Sequence, residues 1–314
     1  MKLKKLAVAF YNLENLFDTL DDPHTLDDDF TAQGQNHWTE DRYHNKLHKL
    51  SKVISLVGEK STGTAPVIVG VTEVENKKVM KDLVSQEELK KNGYDFVHYN
   101  SPDERGIDTS LLYRSEYFTV THSEPISLYV ESAPGVRDYT RDILYVKGSL
   151  YHKEVHILVN HWPSRREDTA INQHKRMAAA AENRKVIDNI LSQDPMARII
   201  IMGDFNADPQ SDEVRNALVK TDLYNPMVFL HTRYEGSLNH QFNWHLFDQI
   251  ILSPSWMKAY GNPLEYDRSD IYNEHYLTEY EGRFRGNPFR TYAGPNYLGG
   301  YSDHFPVYCI FKVS

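Results

Sequence analysis

The chain has 314 residues, 40% hydrophobic and 25% charged, with a formal net charge of −9 and a pI near 5.9. That balance suits a folded globular protein with enough apolar side chains for a sizeable core. It excludes a helical membrane span, because no apolar run approaches about 18 residues, and it argues against a tight, non-specific polyanion binder, which needs a basic face.

The N-terminus, MKLKKLAVAFYNLENLF, starts basic and then apolar, as a secretory leader does. The apolar part is short, Asn12 and Glu14 interrupt it, and no small-residue cleavage site follows. It reads instead as a first strand, Leu6–Asn12. On that ground the chain is expected in the cytoplasm, or outside it if a leader has been removed. Further strands are expected at Val67–Val74, Asp95–Tyr99, Ser110–Arg114, Phe118–Thr121, Ile143–Leu150, Val155–His161, Arg198–Met202, Asp248–Ser253 and Pro306–Lys312, all short β-branched or aromatic runs. Helical spacing marks three stretches. Leu47, Leu50, Val53, Ile54 and Val57 share one face; Val79, Leu83 and Leu89 mark a second helix; Thr169 to Leu191 forms a third, alanine-rich helix. A shorter helix is expected after Pro209.

Runs such as Ile157–Val159 and Ile199–Met202 are apolar on both strand faces, which implies that both faces are covered. Strands mixed with long helices indicate an α/β fold, and a single domain over residues 1–314. Asp18–Asp41 and Ser255–Tyr301 lack periodicity and read as long loops on that scaffold. The acidic run Asp27–Asp29 reads as solvated loop, as does Glu75. Trp38 and Trp256 fall inside the unread loops. Cys309, the only cysteine, reads as a buried free thiol.

Acidic, amide and imidazole residues gather where predicted strands end. They are Asn12 and Glu14 in FYNLEN, Glu73 in VIVGVTEVEN, Asn160 and His161 in ILVNHWPSR, Asp204 and Asn206 in IIIMGDFNADP, Asp248 in NWHLFDQIIL, and Asp303 and His304 in YSDHFPVY. One carboxylate at a strand end is commonplace, and Asp204–Asn206 alone could be a turn. The whole set fits phosphoester hydrolysis. A phosphate ester repels hydroxide, so a hard cation held by carboxylate oxygens must offset its charge. A carboxylate can take the proton of the attacking water, and imidazoles can stabilise charge that builds on phosphoryl oxygens.

The ordered motifs N-x-E, E, NH, GDFN, D and SDH resemble the endonuclease/exonuclease/phosphatase superfamily, from Asn12 to His304. The resemblance implies a four-layer α/β sandwich, two mixed β-sheets packed face to face with helices on the outside. It implies Glu73 as principal metal carboxylate, supported by Asn12, Glu14 and Asp303. It implies Asp204 as the base that orients and deprotonates water, with Asn206 beside it. His161 and His304 would contact phosphate, with Asp248 orienting His304. Asn160 and Arg141 in YTRDIL would hold substrate phosphate. Apart from the resemblance, Arg165 and Arg166, directly after the His161 motif, could hold a second substrate phosphate, since arginine forks match phosphate oxygens, or equally be solvated loop charges. The implied cofactor is Mg²⁺, with Mn²⁺ as a substitute, and the implied partner is a phosphoester, nucleic acid first among the candidates. No protein partner is expected.

Two departures stand out. Glu14 occupies a place where several nuclease branches carry Asp, and the Tyr-rich stretch before SDH matches no motif. An inositol-phosphate or sphingomyelin-type ester is the alternative substrate, and a non-catalytic binding module is a distant one. A zinc peptidase is disfavoured because no H-E-x-x-H sequence is present.

Overall fold

The computed structural model describes residues 4–133, 135–164, 169–258 and 263–314. Eleven of its strands build two mixed sheets. We number them in chain order: β1 (Lys5–Leu16), β2 (Ile68–Val74), β3 (Tyr94–His98), β4 (Asp108–Arg114), β5 (Phe118–Ile126), β6 (Ile143–Leu150), β7 (Lys153–His161), β8 (Ile199–Asp204), β9 (Asp248–Leu252), β10 (Leu264–Ile271) and β11 (Val307–Val313). The first sheet runs β10-β11-β1-β2-β4-β3 and the second β9-β8-β7-β6-β5. Three helices matter here: α1 (Glu40–Leu56), α2 (Lys77–Val84) and α3 (Thr169–Gln193).

Both sheets share one plan. A parallel pair sits in the middle, β1 with β2 and β8 with β7. Each pair is flanked by antiparallel neighbours, β11 and β4 in one sheet, β9 and β6 in the other. Side chains alternate across a strand, and the alternation separates the layers. Ile200, Met202, Ile157, Val159 and Ile250 join the core that also holds the first sheet, α1 and α2. Ile199, Ile201, Leu158 and Ile251 turn the other way, onto Ala179, Ala180 and Ile187 of α3. The order is therefore helix, sheet, sheet, helix, the expected four-layer sandwich. The two sheets approach closely at Gly70, where a Cβ would overlap the Met202 side chain.

Some expectations need correction. The segment Ser255–Tyr301 is not all loop, since β10 lies within it. Its sequence, LEYDRSDI, hides the strand because it forms a sheet edge, where charges deter pairing with other chains. β5 runs on past Thr121 through Pro125, a residue tolerated because β5 is also an edge. The helix after Pro209 is a π-helical turn, Glu213–Val219. Trp38 and Trp256 are fully buried, with their indole N–H groups donating to Phe17 O and Ile199 O at 3.0 Å. Asp27 and Glu75 are buried rather than solvated, and the Glu75 carboxylate accepts from the Asp18 N–H at 2.5 Å. No helix among the described residues is long and apolar enough to cross a membrane.

Candidate active site

The ends of the central strands meet on one side of the sandwich. In the second sheet, Asp204 sits in register between Asp248 and His161, so three side chains stand level at one edge. In the first sheet, both central strands break pattern at the same level. β1 shifts register between Asn12 and Leu16, and the ladder between β2 and β4 shifts between Thr72 and Val74. Glu14, Asn15 and Glu73 take left-handed backbone conformations, with φ of 51°, 52° and 60°. Asn206 does the same at 46°. Non-glycine residues adopt such angles rarely and at a cost of about 1–3 kcal/mol each, typically where a site needs them.

Asn12 joins the two sheets. Its buried carboxamide donates to Asp204 Oδ2 at 3.0 Å and to Glu73 Oε1 at 3.2 Å. Glu73 also accepts the Asn15 N–H at 2.8 Å. Asp204 accepts the Asn206 N–H at 2.9 Å, and the Asn206 side chain donates to Trp162 O at 2.9 Å. Burial, and then the charge of Asp248, push the Asp204 carboxyl up to about 7.

The two histidines differ in state. His304 Nδ1 donates to Asp248 Oδ2 at 2.7 Å, which aims Nε2 between Asp204 and Asp303, each 4.0 Å away. Burial opposes its charge, but the charge and hydrogen bond of Asp248 outweigh burial and raise His304 well above the usual range. It is a cation. His161 is neutral, driven well below the usual range by burial and then by Arg141, Arg105 and His304. An arginine can only donate, so the 2.9 Å contact of Arg141 Nη2 with His161 Nε2 makes Nε2 the acceptor and puts the proton on Nδ1. Arg141 is in turn paired with Asp103 at 3.0 Å.

Glu14 and Asp303 form a second carboxylate group beside the first. Glu14 Oε2 accepts the Thr291 N–H at 2.6 Å and lies 3.8 Å from Lys46 Nζ. Glu14 Oε1 lies 3.7 Å from Arg290 Nε, and Arg290 Nη2 donates to Asp303 Oδ2 at 2.6 Å. Burial, and then the nearby Asp303, raise the Glu14 carboxyl.

Asn160 takes a different place from the one expected. It is fully buried, and its carboxamide oxygen accepts from Trp162 Nε1 at 3.0 Å and from Asn183 of α3 at 2.7 Å. It braces β7 from behind rather than facing phosphate. Arg165 and Arg166 lie outside the described residues. Lys46, Asp103 and Arg290 were not singled out from sequence. Lys46 had left a trace: it is a charged residue on the face of α1 that carries Tyr43, Leu47 and Leu50.

The donor set fits a hard divalent cation. Among the described residues Glu73 has no Lys or Arg within ion-pair reach, only amide donors and the neutral His161 at 3.8 Å. Asp204, Asp248 and His304 also bring ligand atoms within 4.8 Å of one another. There, however, the Nδ1 proton of a cationic imidazole already occupies Asp248, which leaves that trio better suited to proton and phosphate work than to holding a metal.

A family model described as Endonuclease/Exonuclease/phosphatase family matches residues 7–313. Among curated proteins, none matches the sequence. Solved structures do resemble it in fold. A humanized D. rerio TDP2 aligns with a TM-score of 0.60 at 15% identity, over 99% of this chain and 100% of that one. A mannosyl-6-phosphatase of Bacteroides thetaiotaomicron gives 0.58 at 18%, over 98% and 99%. The human Nocturnin catalytic domain gives 0.58 at 16%, over 99% and 95%.

Proposed function

The chain belongs to the endonuclease/exonuclease/phosphatase family, whose members are metal-dependent phosphoesterases, and on that premise we propose that it hydrolyses a phosphodiester with the help of Mg²⁺. The observation that carries the reading is the meeting of Asn12, Glu73, Asp204, His161 and His304 at one edge of two packed sheets. The length of the family match supports treating residues 1–314 as one catalytic domain.

In this reading Glu73 holds the cation, with Asn12 fixing its carboxylate. When bound, the cation offsets phosphate charge and polarises a phosphoryl oxygen. Asp204 takes the proton of the attacking water, and its raised proton affinity makes it an apt base near neutral pH. Asn12 and the Asn206 N–H hold its two oxygens in place. His304, charged and fixed by Asp248, donates from Nε2 to a non-bridging phosphoryl oxygen as charge builds there. Arg141 borders the site from the second sheet's side and binds the phosphate or the leaving oxygen, with His161 Nε2 accepting from its guanidinium and holding it in place.

A nuclease or related phosphodiesterase is the first choice of substrate class. A smaller phosphomonoester is the second, favoured by the net charge of −9, which suits a compact substrate better than a long polyanion. The test is hydrolysis of plasmid DNA, abasic DNA, a sugar phosphate, an inositol polyphosphate, sphingomyelin and bis-p-nitrophenyl phosphate, with Mg²⁺, Mn²⁺, Ca²⁺ or EDTA. Turnover that needs the cation and vanishes in Asp204→Asn is expected. Turnover of any of these esters at full rate in EDTA would refute the proposal.

A further inference from the structure

The stretch before SDH, for which the sequence offers no motif, is strapped onto one face of α1. Arg42, Asn45, Lys46 and Lys49 recur at the spacing of a helix face. The Arg42 guanidinium lies 4.3 Å over the Tyr297 ring, and Asn45 donates to the Tyr297 hydroxyl at 3.0 Å. Lys46 donates to Thr291 Oγ1 at 2.6 Å, and Lys49 donates to Gly299 O. Gly300 passes so close that a Cβ would overlap the carbonyls of Phe289 and Arg290. The strap thus fixes the backbone on both sides of Arg290.

The consequence is a pair of protein cations at the Glu14–Asp303 carboxylates. Lys46 is 1% exposed and donates to Glu14 O at 2.5 Å as well as facing its carboxylate. Arg290 spans Glu14 and Asp303. A buried carboxylate beside a second, half-buried one must be protonated or given positive charge. Here the chain supplies that charge itself, and the Thr291 N–H takes a lone pair of Glu14 besides. A divalent ion bound to these oxygens would have to displace Arg290 and the Thr291 N–H. The Glu73–Asp204 side has no lysine or arginine within ion-pair reach among the described residues: Glu73 meets only the neutral His161, and the one charged neighbour of Asp204 is His304, already engaged by Asp248.

We infer that Arg290 and Lys46 are resident cations of the site, doing for Glu14 and Asp303 what a second divalent ion would do, so that the chain takes one divalent ion, on the Glu73–Asp204 side. This rests on the metal-dependent reading above. Arg290 is the adjustable member, because its side chain is 45% exposed and its replacement leaves the core intact.

The experiment is calorimetric titration of the whole chain with Mn²⁺, for wild type, Arg290→Gln and Arg290→Lys, with thermal melts to check folding. Wild type should bind one ion. Arg290→Gln, with its two carboxylates uncovered, should bind two, and Arg290→Lys, which keeps the charge, should bind one. Two ions in wild type, or a single ion in Arg290→Gln, would overturn the inference while leaving metal dependence standing. No ion in any of the three would instead remove the metal-dependent reading itself.

Discussion

The Glu14–Asp303 side and the Glu73–Asp204 side of the site are both crowded with carboxylates, yet they are neutralised by different means. On the first, a buried lysine and an arginine hold the charges down. On the second, the partners are the Asn12 carboxamide, backbone N–H groups and imidazoles. A carboxylate paired with a fixed cation holds structure together and has little left to give a substrate. One held mainly by neutral donors, as Glu73 is, keeps a demand for positive charge, which a metal or a proton can meet. The contrast predicts that damage on the second side will be seen in turnover and damage on the first in stability.

The largest effect should come from Asp204→Asn, which removes the proposed base. A loss of about 10²–10⁴ in kcat is expected, read by steady-state kinetics on whichever ester is turned over. The fold should not suffer. The folded-state value of Asp204 lies above its ordinary 3.8, so the stabilisation linked to that raised value is present below 3.8 and lost as pH rises through about 7. The variant should therefore melt no lower than wild type at alkaline pH. Near-wild-type turnover would break the assignment of the base.

Lys46→Met should act on the other side. It leaves Glu14 buried with part of its compensation gone, at a cost of about 3–5 kcal/mol. Urea denaturation measures this, and a change under about 1 kcal/mol would show that Lys46 is not what neutralises Glu14. Glu73→Gln should raise the Mg²⁺ concentration for half-maximal rate by at least about 10-fold, with stability little changed. An unshifted metal titration would move the ion elsewhere.

The smallest effect is a shift in a pH profile. Only deprotonated Asp204 accepts a proton, so at low Mg²⁺ kcat/KM should rise as pH climbs through about 7. Saturating Mg²⁺ favours the charged carboxylate and should move that limb to lower pH. A limb that ignores Mg²⁺ would place the cation too far from Asp204 to be felt.

The sequence disclosed the second side of the site far better than the first. Asp204, Asp248 and His161 lie at the ends of strands, and His304 just ahead of one, whose apolar runs announce them, and their order carries the family resemblance. The sandwich itself came from that resemblance, because strand patterns name an α/β class but not a layer order. Lys46 and Arg290 stayed hidden for a physical reason. A lysine on a helix and an arginine in a loop look solvated until tertiary contacts between residues 245 positions apart, as for Lys46 and Thr291, give them partners. The edge strand β10 was missed because edges are selected to look polar. Asn160 was misplaced because neighbours on a strand point to opposite faces, and only His161 of that pair turns toward the site.

The Asn12 carboxamide touches Glu73 in its own sheet and Asp204 in the facing one, so the reacting centre spans a seam rather than resting on one surface. Its geometry is then a gauge of how tightly the sheets close. Gly70 and Met202 set that closure from the middle of the sandwich. A bulkier residue at position 70 would pry the seam apart like a shim under a door frame. Catalysis should fade on warming, or under such a shim, before the molecule unfolds.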